Sequence, residues 1–173
     1  MRKIILIIAL LFTTGCYNYL EPDNLAIITT IAIDYYDGNY QITLEIEESA
    51  SKGEISSYII NTKNKDIKAG FKELALFFNK VLFFTSLDIL VITPEIAEHH
   101  LDQLTDFLIN EHNLNFNFYI AISERPEVII EIINNKDYIF GIYLKELFDN
   151  NEYYLSKIDY ITFLNSYLKS ESI

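Results

Sequence analysis

The chain holds a single cysteine, Cys16, and its setting points to acylation rather than to redox or metal chemistry. Arg2 and Lys3 open the sequence with positive charge, residues 4–12 form an unbroken apolar run, and Thr13, Thr14 and Gly15 lead up to the thiol. Positive start, apolar run and small-residue boundary are the three parts of an export signal. The run is too short to span a bilayer, which takes ~20 helical residues, so it is expected to be removed. A Gly-Cys boundary is the core of a bacterial lipobox, although Thr13 stands where leucine is usual. The thiol would take a diacylglyceryl group, and cleavage would leave Cys16 as the first residue. The expected layout is a signal peptide over 1–15, a lipidated linker over 16–23 and a single α/β domain over 24–173. With one cysteine no disulfide can form within a monomer, and the fold must rest on its core.

The other chemistry-bearing residues read more plainly. His99 and His100 are adjacent on an expected helix with Glu95, Glu98 and Asp102 around them. Neighbouring helical residues point about 100° apart, so the two imidazoles do not share a metal. His99 with Glu95 has ligand spacing, but the pattern fits a solvated acidic face. Glu45, Glu47 and Glu48 form an acidic patch, read as the wet side of an edge strand or a docking surface for a basic partner. Asp34 and Asp37 flank a turn, where Asp serves backbone geometry. The glycines are scattered singly, which argues against a phosphate loop, and no serine sits in a nucleophile elbow. No enzyme activity, cofactor or metal is expected.

Charge narrows the partners. The formal net charge is −12, and losing Arg2 and Lys3 takes it to −14. Phosphate contacts need clustered Lys and Arg, so nucleic acid is an unsuitable partner. Anionic headgroups would repel such a domain, so a hydrophobic anchor must hold it. Stable anchoring takes two chains, as a diacylglyceryl cysteine supplies.

The elements that must present these residues follow from periodicity. Residues 25–34 read as a buried strand, Asp37-Gly38-Asn39 as a turn, and 40–47 as a second strand with Tyr40, Ile42, Leu44 and Ile46 on one face and Gln41, Thr43, Glu45 and Glu47 on the other. Together they make a β-hairpin. Residues 49–57 read as a loop and 58–61 as a short strand. Apolar spacing predicts a helix over 66–82; five phenylalanines at 71, 77, 78, 83 and 84 cannot all face one side of it, so some are expected to be exposed. A strand over 87–93, a helix started by Thr93-Pro94 and running through Leu108, and a strand over 116–122 follow. Helices are expected over 127–133, 139–148 and 159–168. Strand-helix alternation after a hairpin predicts an α/β fold: a mixed β-sheet with an N-terminal antiparallel hairpin, flanked by helices.

These elements carry a resemblance. Gly15-Cys16-Tyr17, then Glu21, then Leu25-Ala26-Ile27-Ile28, Ile31-Ala32-Ile33-Asp34, Asp37-Gly38-Asn39-Tyr40 and Ile42-Thr43 resemble the opening of the spore germination receptor C-subunit family, the Ger(x)C lipoproteins. Ser86 and Asp88 stand where that family often has His and Lys. Family members are longer, with further domains, so the likeness is to their N-terminal part. It implies a membrane-anchored, non-enzymatic subunit of a nutrient germinant receptor, acting in germination signalling beside integral-membrane A- and B-type subunits. It places the chain on the outer face of the cytoplasmic (spore inner) membrane, with Cys16 as lipid attachment site. A stand-alone lipid-anchored ligand-binding protein and a truncated family member are the alternatives.

Overall fold

The structure is a computed structural model and describes residues 24–49, 55–134, 138–151 and 158–171. The described residues form a mixed sheet of seven strands with six helices, as the α/β reading expects. The strands are β1 (Leu25–Tyr36), β2 (Asn39–Ser49), β3 (Ile55–Asn64), β4 (Val81–Phe83), β5 (Ile89–Ile92), β6 (Tyr119–Ile122) and β7 (Ile158–Asp159). The helices are α1 (Ile67–Phe78), α2 (Pro94–His99), α3 (Leu101–Asn110), α4 (Pro126–Asn134), α5 (Phe140–Asn150) and α6 (Tyr160–Glu171). The sheet order is β3-β2-β1-β5-β6-β7. β1, β2 and β3 are antiparallel, β5 and β6 run parallel to β1, and β7 closes antiparallel.

The hairpin forms for the expected reason. Asp37 and Gly38 both have positive φ, at 53° and 73°, which is the two-residue turn whose twist matches the flanking strands. Alternation in β2 then places Tyr40, Ile42, Leu44 and Ile46 in a large apolar core, with Ile31 and Ile33 of β1, Phe71 and Leu74 of α1, and Leu104 and Leu108 of α3. A smaller core covers the opposite face, where Ala32, Ile89 and Val91 meet Ile130 of α4 and Phe140 of α5.

Several boundaries differ from the periodicity reading. The helix over 66–82 stops at Phe78, because Asn79 takes a left-handed conformation and donates its N–H to Leu76 O. Asn is among the few residues that tolerate this cap. Val81–Phe83 is instead strand β4, which pairs parallel with Leu25–Ile27, while β5 pairs with Thr30–Ile33 further along the same strand. The helix from Pro94 through Leu108 is broken at His100, whose φ and ψ of −131° and 19° are not helical. β3 is ten residues long rather than a short strand, reaching from Ile55 where a loop is expected. β6 occupies only Tyr119–Ile122, and β7 is an element that two residues are too few to announce.

Candidate functional site

The acidic patch does not sit where an edge strand would put it. β2 is flanked by β1 and β3, so β3 is the edge, and Glu45 is fully buried at 0% exposure. Glu47 is half-buried and only Glu48 is exposed. A buried carboxylate persists only where hydrogen bonds replace its hydration, and Glu45 accepts five. Thr29 Oγ1 and Thr30 Oγ1 each donate to Oε2 at 2.8 Å, and Ser57 Oγ donates to Oε1 at 3.0 Å. The backbone N–H groups of Phe140 and Gly141 complete the set, at 2.6 Å to Oε1 and 3.0 Å to Oε2.

Local irregularity explains how two consecutive threonines reach one oxygen. In a regular strand their side chains would point to opposite faces. The register of β1 against β2 shifts between Ile28 and Thr30, so Ile28 pairs with Ile46 and Thr30 with Glu45, leaving Thr29 as the extra residue of a β-bulge. The bulge turns both hydroxyls toward Glu45. Ser57 reaches it diagonally, being two residues from Ile59, the direct β3 partner of Glu45. On the far side α5 begins at Phe140, and Ile139 supplies no side-chain cap. Glu45 does so from another element, satisfying two of the first N–H groups and meeting the positive end of the helix. Approach is close: a Cβ on Gly141 would lie 2.6 Å from Thr29 O and 2.7 Å from Thr30 Oγ1. This node clasps three strands to one helix, and every donor comes from the fold itself. It is a structural device, and sequence pattern could show it only to a reader who knew that both faces of β2 are covered.

Aromatic and histidine residues meet at the opposite end of β1. His100 lies against Tyr35 with ring centroids 3.7 Å apart, Tyr40 Oη is 3.2 Å from His100 Nδ1, and Glu95 Oε1 is 3.8 Å from His100 Nε2. It is thus His100, and not His99, that meets Glu95. The helix break at His100 turns its own ring to Glu95, while His99 is exposed beside Glu98 at 3.8 Å. Burial, and then the fields of Tyr35, Asp102 and Asp66, raise the Tyr40 hydroxyl above its ordinary range. Among the described residues no group of three or more His, Cys, Asp or Glu is arranged to hold a metal.

A groove of about 340 Å³ adjoins this cluster, lined by Tyr40, Lys65, Asp66, Gln103, Asp106 and Glu111 among others. Its charged and amide side chains share the lining with the apolar Ile67 and Phe107. Asp88 forms a partly buried ion pair with Lys145 of α5 at 2.6 Å. The five phenylalanines divide between α1, β4 and the residue after it. Phe71 and Phe84 are core, Phe78 and Phe83 are half-buried, and Phe77 is exposed.

Cys16, the signal peptide expected over 1–15 and the linker expected over 16–23 lie outside the described residues. No helix among the described residues is long and apolar enough to cross a membrane. Comparison with known proteins gives one positive result: the family described as the spore germination protein N-terminal domain matches residues 18–173. No curated protein and no solved structure matched in the comparisons made.

Proposed function

The chain belongs to the spore germination protein N-terminal domain family, and from that membership we propose that it is a lipid-anchored C-type subunit of a nutrient germinant receptor. In this reading Cys16 carries the lipid, residues 1–15 are the signal peptide, and residues 24–173 form one α/β domain outside the cytoplasmic (spore inner) membrane. The domain acts in germination signalling by assembling with integral-membrane A- and B-type subunits, not by catalysis. The family match over residues 18–173 carries the proposal, because it starts two residues past a Gly-Cys boundary that follows an apolar run. The dominant buried polar cluster fits this role: its donors satisfy a carboxylate that clasps the fold, leaving the outer surface to make contacts.

The test compares the chain with a Cys16→Ser variant in a sporulating host. Palmitate labelling, recovery in the membrane fraction and co-purification with polytopic subunits are expected for the parent, and loss of labelling for the variant. Labelling that persists in Cys16→Ser, or a parent chain recovered entirely without membrane, would contradict the proposal.

A further inference from the structure

The two most exposed large apolar side chains among those described are consecutive. Leu76 is 71% and Phe77 82% exposed, at the last turn of α1. Val81 follows at 40%. Burial elsewhere on this helix is ordinary, with Ile67, Phe71 and Leu74 in the core. Phe77 meets Phe78 edge-on with ring centroids 5.1 Å apart, yet both adjacent side chains, Leu76 and Phe77, stay largely in water.

Their place in the fold matters more than their exposure. Val81 is the register partner of Leu25 in the parallel β1–β4 pair, so this apolar tip sits beside the first residue of β1. Leu25 is nine residues past Cys16, and a chain of that length spans at most about 30 Å. A lipid on Cys16 therefore lies within about that distance of the first residue of β1, which this tip adjoins. The charges beside it also differ from those of the whole. Lys72 lies one turn before Leu76, Lys80 follows the left-handed Asn79 that ends the helix, and Glu73 is turned back to Asn64, accepting a 3.0 Å hydrogen bond from its side-chain amide. This stretch is net positive in a chain of formal charge −12. Glu47 and Glu48 lie at the same end but on β2, beyond Tyr58, which packs on Phe78. Apolar residues flanked by lysines, whose stems can lie along the headgroup boundary, make an interfacial contact.

We propose that the C-terminal turn of α1 docks on the lipid bilayer, with Leu76 and Phe77 entering the headgroup boundary and Lys72 and Lys80 meeting its phosphates. The proposal rests on the reading of Cys16 as the anchor point. Docking would fix the orientation of the domain, and would direct the Tyr35–Tyr40–His100 end of β1 away from the membrane.

Because the chain contains no tryptophan, a Phe77→Trp variant carries a single unambiguous reporter. The isolated chain is reconstituted in vesicles of phosphatidylglycerol and phosphatidylethanolamine. If its Cys16 thiol proves unmodified, the anchor reading fails, and the same chain is coupled through that thiol to a maleimide lipid so that docking is still measured. The expected result is a blue-shifted emission on vesicles and quenching by lipids brominated near the headgroup end of the acyl chain. A Tyr36→Trp variant, at the other end of β1, should keep its water-like emission. Unshifted, unquenched Phe77→Trp emission on tethered chain would overturn the proposal. So would a shift that needs no vesicles and grows with protein concentration, which would assign the tip to a second copy.

Discussion

The two faces of the sheet are held by different physics. On the face covered by α1 and α3, aliphatic and aromatic side chains fill the core, and each contributes by leaving water. On the face covered by α4 and α5, a smaller apolar cluster sits beside one buried carboxylate with five donors. Leu44 and Glu45 are adjacent in β2, both fully buried, and serve opposite faces. The first kind of packing tolerates exchange among similar volumes, whereas the second depends on which atoms donate and which accept.

Substitution at these neighbours is the sharpest test of that difference. Glu45→Gln keeps shape and volume, yet either orientation of the amide puts its NH2 against a backbone N–H, of Phe140 or of Gly141. The expected cost is about 3 kcal/mol, since charge-assisted bonds are lost and a buried donor is left unpaired. Leu44→Met, equally conservative in volume, should cost less than about 1.5 kcal/mol. Urea denaturation of both variants measures the gap; equal costs would break the comparison.

Gly141→Ala probes the same clasp from the helix side. Its Cβ would meet backbone and a hydroxyl that is already committed to Glu45, so relief requires moving α5. A loss of about 2 kcal/mol is expected from such overpacking, with amide exchange accelerated in α5 before α1.

Tyr160 tests the apolar side. Its ring stacks on Phe118 at 4.8 Å, but its buried hydroxyl has no hydrogen-bond partner among the described residues. Tyr160→Phe should therefore stabilise by about 1 kcal/mol. Burial also raises the Tyr160 hydroxyl above its ordinary range. As pH rises past about 10 the unfolded chain ionises first, and stability falls until the folded pKa is passed. The phenylalanine variant should lack that share of the alkaline loss in thermal melts.

The smallest effect is expected at Asp159, whose carboxylate accepts from Thr162 N–H at 2.8 Å and Thr162 Oγ1 at 2.9 Å at the start of α6. The Thr162 bonds hold it below the usual carboxylate range. Its contribution is present above the unfolded value near 4 and is lost as pH falls through the depressed folded one. Asp159→Ala should cost about 0.5–1 kcal/mol at neutral pH, with the difference from the parent closing under acid.

What the sequence reveals follows the same division. The apolar face was legible because period-two alternation in 40–47 and helical spacing in 67–78 are statements about burial, and burial built that face. The turn at Asp37-Gly38 was legible because its chemistry is local. Alternation alone makes Glu45 look wet because its partners are remote in sequence: Thr29 and Thr30 arrive through a bulge, and the N–H groups of Phe140 and Gly141 come from residues far along the chain. β4 is hidden in the helical spacing because Val81 continues it, and the left-handed Asn79 is what interrupts it. Spacing puts His99 and His100 on one helix, but the break at the backbone of His100 sends the two rings to different carboxylates. Phe77 fell within the expectation that some phenylalanines of the 71–84 stretch are exposed, although which ones depended on where α1 ends.

The central claim is that one sulfur ties this domain to a membrane, and the mass of the chain isolated from cells tests it most directly. The account predicts a chain that begins at Cys16, lacks residues 1–15 and carries a diacylglyceryl group on that cysteine. A chain that retains Arg2 and Lys3, or begins elsewhere with an unmodified Cys16 thiol, would contradict it.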